Sequence, residues 1–107
     1  MQWVKLFNSK QEAEKRLEEN KPFTVAIDAL KICLLRNDSG IFAFKAYCPH
    51  AGASLSEAFC NTNNEIVCPL HGHRFELRTG REVTGHSEEL LIYPLQVQAE
   101  GVFIGLK

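Results

Sequence analysis

Residues 48–75 read CPHAGASLSEAFCNTNNEIVCPLHGHRF, and the rest of the chain is arranged around them. Two short loops, Cys48-Pro49-His50 and Cys68-Pro69-Leu70-His71-Gly72, each present one thiolate and one imidazole. Seventeen residues, rich in Gly, Ala, Ser and Asn, separate His50 from Cys68. Two Cys and two His at this density form a metal-site signature, with Cys48, His50, Cys68 and His71 as candidate ligands. The flanks supply a scaffold. Residues 41–46 are an apolar run feeding into Cys48, residues 65–67 feed into Cys68, and residues 74–77 alternate as a strand before the turn Arg78-Thr79-Gly80. Both loops are therefore expected at the tips of consecutive hairpins, where rigid strands aim them at one point.

Further out, residues 3–7 form an expected first strand with Trp3 as a core anchor. Ser9 followed by Glu12 is a capping-box pattern, in which the hydroxyl accepts an orphan N–H and the carboxylate reaches back. Ala13 and Leu17 share one face, so residues 10–19 are expected as a short amphipathic helix, ended by Asn20 and the extended bias before Pro22. Strands are expected at 23–27, 31–36 and 41–46, the last two joined by the turn Asn37-Asp38-Ser39-Gly40. A looser stretch at 83–89 precedes residues 90–93. Pro94 interrupts, and 95–98 with 102–106 close a hairpin around Glu100-Gly101. The pattern predicts a mainly β chain, an antiparallel sandwich or small barrel with one short N-terminal helix.

At 107 residues the chain is expected to form a single domain, 1–107, whose modest core a bound cofactor would help to stabilise. The net charge of −1, with basic residues interleaved among acids, speaks against a nucleic-acid partner. No apolar run reaches signal-peptide or membrane-span length, so a cytoplasmic protein without a membrane partner is expected. Four cysteines in that setting read as ligands and buried thiols rather than a disulfide framework, although a secreted, disulfide-stapled domain is the alternative. Cys33, on an apolar strand, and Cys60, beside Phe59, are read as structural thiols.

A Cys2His2 set first suggests tetrahedral zinc. Zinc fingers, however, group Cys with Cys and His with His, whereas each loop here mixes one of each on a β scaffold. Mixed loops suit a two-iron cluster in which one iron takes both thiolates and the other both imidazoles. Two ferric ions, two sulfides and two thiolates sum to zero charge, against minus two for an all-thiolate site. An electron therefore enters more easily, and the reduction potential is higher than with four thiolates.

Cys48-x-His50, seventeen residues, then Cys68-x-x-His71-Gly72 resembles the Rieske [2Fe–2S] motif, and the surrounding β meander is similar to Rieske ferredoxins over nearly the full chain. The resemblance implies one [2Fe–2S] cluster in a subdomain at about residues 46–78, with Cys48 and Cys68 on the inner iron and His50 and His71 on the outer one through Nδ1. It also shows departures. High-potential relatives carry a disulfide at the positions of Ala53 and Leu70, and hydroxyl donors to sulfur at the positions of His73 and Phe75. Without those donors the reduced cluster is less stabilised, so the potential is expected near the low end of the Rieske range, about −150 mV. Its fall with pH is expected to begin well above neutrality. Relatives cover the cluster with a Pro-rich third loop, but Val83-Thr84-Gly85-His86-Ser87 has no Pro. Pro49 and Pro69 are read as stiffening the loops, and Gly52 and Gly72 as permitting close approach to the cluster or a left-handed turn.

No flavin, nicotinamide or mononuclear iron site accompanies the motif, so the expected function is an electron carrier rather than an enzyme. Its implied partners are a reductase that donates electrons and a terminal oxygenase that accepts them. The alternatives are a small subunit of a larger reductase, such as nitrite reductase, and a structural zinc-binding interaction module.

Overall fold

Ile32-Cys33-Leu34-Leu35 is a run of four fully buried residues, and it accounts for the architecture. A strand covered on one face alternates in burial; one covered on both faces does not. In the computed structural model, which describes residues 1–49, 52–70, 72–85 and 88–106, this run lies in β3 (Leu30–Asn37), flanked by β2 (Phe23–Ile27) and β4 (Gly40–Lys45). With β8 (Ile92–Tyr93) they form a four-stranded antiparallel sheet, β2-β3-β4-β8.

One face of that sheet carries Ile32, Leu34 and Ala43, which pack with Phe7, Ala13, Leu17, Val102 and Ile104. These belong to a terminal sheet, β1 (Gln2–Phe7), β10 (Gly101–Leu106) and β9 (Leu95–Gln98) in the order β1-β10-β9, to the helix α1 (Lys10–Arg16) and to its C-cap, Leu17. The opposite face carries Cys33, Leu35 and Phe44, which pack with Leu55, Ile66 and Phe75. Here lies a third sheet, β5 (Phe59–Cys60), β6 (Glu65–Val67) and β7 (Arg74–Glu76). Three antiparallel sheets and one short N-terminal helix are the mainly β arrangement that the turn spacing predicts. Pro94 marks a crossing: Tyr93 pairs with the central sheet through Ala43, whereas Leu95 pairs with Ile104 of the terminal one.

Several local expectations are corrected. Trp3 is 40% exposed and no core anchor. Val4 and Leu6 face the core instead, and a register shift between Lys5 and Phe7 then turns Phe7 inward. Trp3 is left over Gly105, its partner across the strands. The helix ends at Arg16, not at 19. Arg36 Nε donates to Leu17 O at 2.9 Å, Asn20 N donates to Arg36 O at 2.7 Å, and Asn20 takes φ +60°. The capping box is modified as well: Ser9 Oγ accepts from Glu12 N at 2.9 Å, but Glu12 Oε1 accepts from Asn8 N rather than from Ser9. Residues 59–60 form a short strand that the sequence did not announce. Among the described residues, no helix is long and apolar enough to cross a membrane.

Candidate metal centre

The two Cys loops are built on one frame. In the first, Cys48 N donates to Ala53 O at 2.7 Å and Gly52 N donates to Cys48 O at 2.8 Å. In the second, Cys68 N donates to His73 O at 2.8 Å and Gly72 N donates to Cys68 O at 2.9 Å. Gly52 and Gly72 take φ of +69° and +74°, the left-handed region open to glycine. A Cβ at either would meet no atom of the described residues within 4 Å, so the requirement that they show is conformational. The frame corresponds to C-P-x-x-G-x, spelled CPHAGA at 48–53 and CPLHGH at 68–73. This correspondence emerges from the hydrogen bonds, not from the Cys-to-His spacings, which differ between the two loops.

Strands hold each frame in place. The first is closed by a bridge between Tyr47 and Ser54, and the second sits on the β6–β7 hairpin, where Val67 pairs with Arg74. Only the second is thus the tip of a regular hairpin. Both thiols lead inward: Cys48 and Cys68 are 1% and 2% exposed and share a core with Phe44, Leu55, Ile66 and Phe75. Both are free of disulfides. Among the described loop residues, Gly52, Pro69, Leu70 and Gly72 are exposed, Leu70 at 56%. Two buried thiols in an apolar core, next to exposed residues of the same loops, fit the thiolate half of an iron–sulfur cluster.

His50 and His71, the other two expected ligands, lie outside the described residues, as do His86 and Ser87 of the third loop. Among the described residues, no group of three His, Cys, Asp or Glu stands together as a metal site. The third stretch is anchored at both of its described ends. Glu82 bridges to Phe75 in antiparallel register, and Leu90 N donates to Gly80 O at 2.7 Å.

Ala53 is partly buried and Leu70 exposed, and neither can supply a sulfur. Phe75 is fully buried and has no hydroxyl. His73 turns Nδ1 toward Glu82, 3.8 Å from Oε2, a neighbour nine positions away that no local pattern singles out. The two remaining cysteines keep to structural places. Burial pushes the Cys33 thiol above its usual 9.0, against a smaller opposing pull from Thr24. Burial also raises Cys60, with Asn37 opposing and Glu65 reinforcing.

Fold and paired loops together define an iron–sulfur scaffold. The Rieske [2Fe-2S] domain family matches residues 2–94, and the chain belongs to that family. Among curated relatives, the 3-phenylpropionate/cinnamic acid dioxygenase ferredoxin subunit of Escherichia coli K12 is 34% identical over 82 residues, 75% of this chain and 77% of its own. Among solved structures, the ferredoxin of carbazole 1,9a-dioxygenase from Nocardioides aromaticivorans IC177 aligns over 100% of both chains with a TM-score of 0.82 at 23% identity. A putative NADH-dependent nitrite reductase small subunit from Mycobacterium tuberculosis gives 0.80 at 19% identity, covering 99% of this chain and 96% of its own. These structures share the fold. Family membership implies a [2Fe–2S] cluster.

Proposed function

We propose that this chain is a ferredoxin of a dioxygenase system: an electron carrier, not itself an enzyme, that takes electrons from a reductase and delivers them to a terminal oxygenase. In this reading Cys48 and Cys68 hold one iron of a single [2Fe–2S] cluster, and His50 and His71 hold the other. The observation that carries it is the pair of matching frames, which bring two buried, unbridged thiols into one core beside an exposed loop surface. The kinship to a dioxygenase ferredoxin subunit supports the choice of partner. Four unbridged cysteines suit a reducing compartment, in line with a cytoplasmic location.

When bound, the cluster supplies a one-electron acceptor. The chain's own residues do the rest. Phe44, Leu55, Ile66 and Phe75 exclude water from the thiol side, and the positive-φ glycines hold each loop in its turn. The exposed tip at Leu70 leaves little protein between the loops and a partner.

The test is the purified protein itself. Iron and acid-labile sulfide are expected in equal amounts, with the electron paramagnetic resonance signal of a Rieske centre on reduction. A colourless protein with stoichiometric zinc and no sulfide would refute the proposal. His71→Ala is expected to lose or remodel the cluster, and an unchanged reduced spectrum would contradict the ligand assignment. The midpoint is expected at about −150 mV; a value above zero would contradict the low-potential reading.

A further inference from the structure

Glu82 is a carboxylate 2% exposed, in a position where an aliphatic residue would pack without desolvation. It stands opposite the buried Phe75 in an antiparallel bridge, and directly opposed residues put their side chains on the same face of a sheet. Glu76 N donates to Arg81 O and Val83 N to Arg74 O, both at 2.9 Å, which lays residues 81–83 along β7. Thr84 donates to both carboxylate oxygens, Oγ1 to Oε1 and N to Oε2 over 3.2 Å, and His73 Nδ1 lies 3.8 Å from Oε2. The last distance is too long for a hydrogen bond.

His73 also belongs to the second Cys frame, where its carbonyl accepts from Cys68 N. Glu82 therefore stands beside the residue whose carbonyl holds the Cys68 backbone amide, on the buried side of the sheet. A fixed negative charge in a poorly screened interior opposes the addition of an electron nearby. A buried charge is also weak evidence for stability, since apolar replacements often serve as well or better.

We infer that Glu82 is a potential-setting residue, a buried carboxylate held by Thr84 that lowers the reduction potential of the cluster. The inference rests on the [2Fe–2S] function proposed above. The test is a redox titration of the holoprotein, followed by electron paramagnetic resonance, comparing the unmodified protein with Glu82→Gln. Glutamine keeps the size and an acceptor for Thr84 while removing the charge. The midpoint is expected to rise at unchanged iron and sulfide content; an unchanged or lower midpoint overturns the inference. If Glu82→Gln assembles no cluster, Glu82→Met decides. It removes the same charge for an apolar side chain of similar size, so the midpoint is expected to rise, and an unchanged or lower value overturns the inference. An unmodified protein lacking iron and sulfide would instead sink the proposed function, which keeps the two failures apart.

Discussion

Gly72 and Gly80 take similar positive φ, +74° and +78°, but a methyl group would meet different surroundings at each. At Gly72 no atom of the described residues lies within 4 Å, so Gly72→Ala is expected to cost the left-handed penalty of about 1–2 kcal/mol. At Gly80 the added Cβ would lie 1.8 Å from Leu90 O, so the turn that holds the 88–91 segment must move. Thermal melts of the two variants are expected to show a modest loss for the first and a far larger one for the second; equal losses would contradict the contact. The thiols make a separate prediction. Folding raises Cys33 and Cys60 above 9.0, and burial raises Tyr93 above 10.0, so the folded chain keeps these protons to higher pH than the unfolded chain does. Their contribution is complete below the unfolded values and is lost as pH rises through the folded ones. Urea unfolding is expected to show falling stability above about pH 9, and Cys60→Ala should reduce that decline.

The short helix shows which information was local and which was not. Its start was legible, because Ser9 and Glu12 act within one turn, and Ser9→Ala is expected to destabilise the protein by about 1 kcal/mol in chemical denaturation. Its end was not. Residues 17–19 are good helix formers, but Arg36, nineteen positions beyond Leu17, takes the Leu17 carbonyl and pairs with Asn20. The same division runs through the strands. The meander β2-β3-β4 and the closing hairpin β9-β10 were legible from turns between apolar runs. Trp3 was misplaced because a bulge shifts which side chains face inward, and no period-2 pattern records a bulge. At the candidate centre, Cys48 and Cys68 were legible as a pair from spacing. Glu82 was not, because its meaning comes from a bridge to Phe75 and a contact with His73.

Across the whole molecule, the central sheet keeps two cores apart, and β3 serves both through alternate residues. Leu34 and Leu35 are neighbours in sequence and both fully buried, yet Leu34 packs with the terminal sheet and Leu35 with the Cys loops. Leu34→Ala and Leu35→Ala are each expected to cost about 2–5 kcal/mol in unfolding experiments. Only Leu35→Ala is expected to shift the cluster's midpoint and spectrum, and an equal shift in both would argue against separate cores. The sheet thus acts as a bulkhead between a working compartment and a chassis. Side chains behind it answer to the terminal strands and those in front to the Cys loops, so head and back can be altered one at a time.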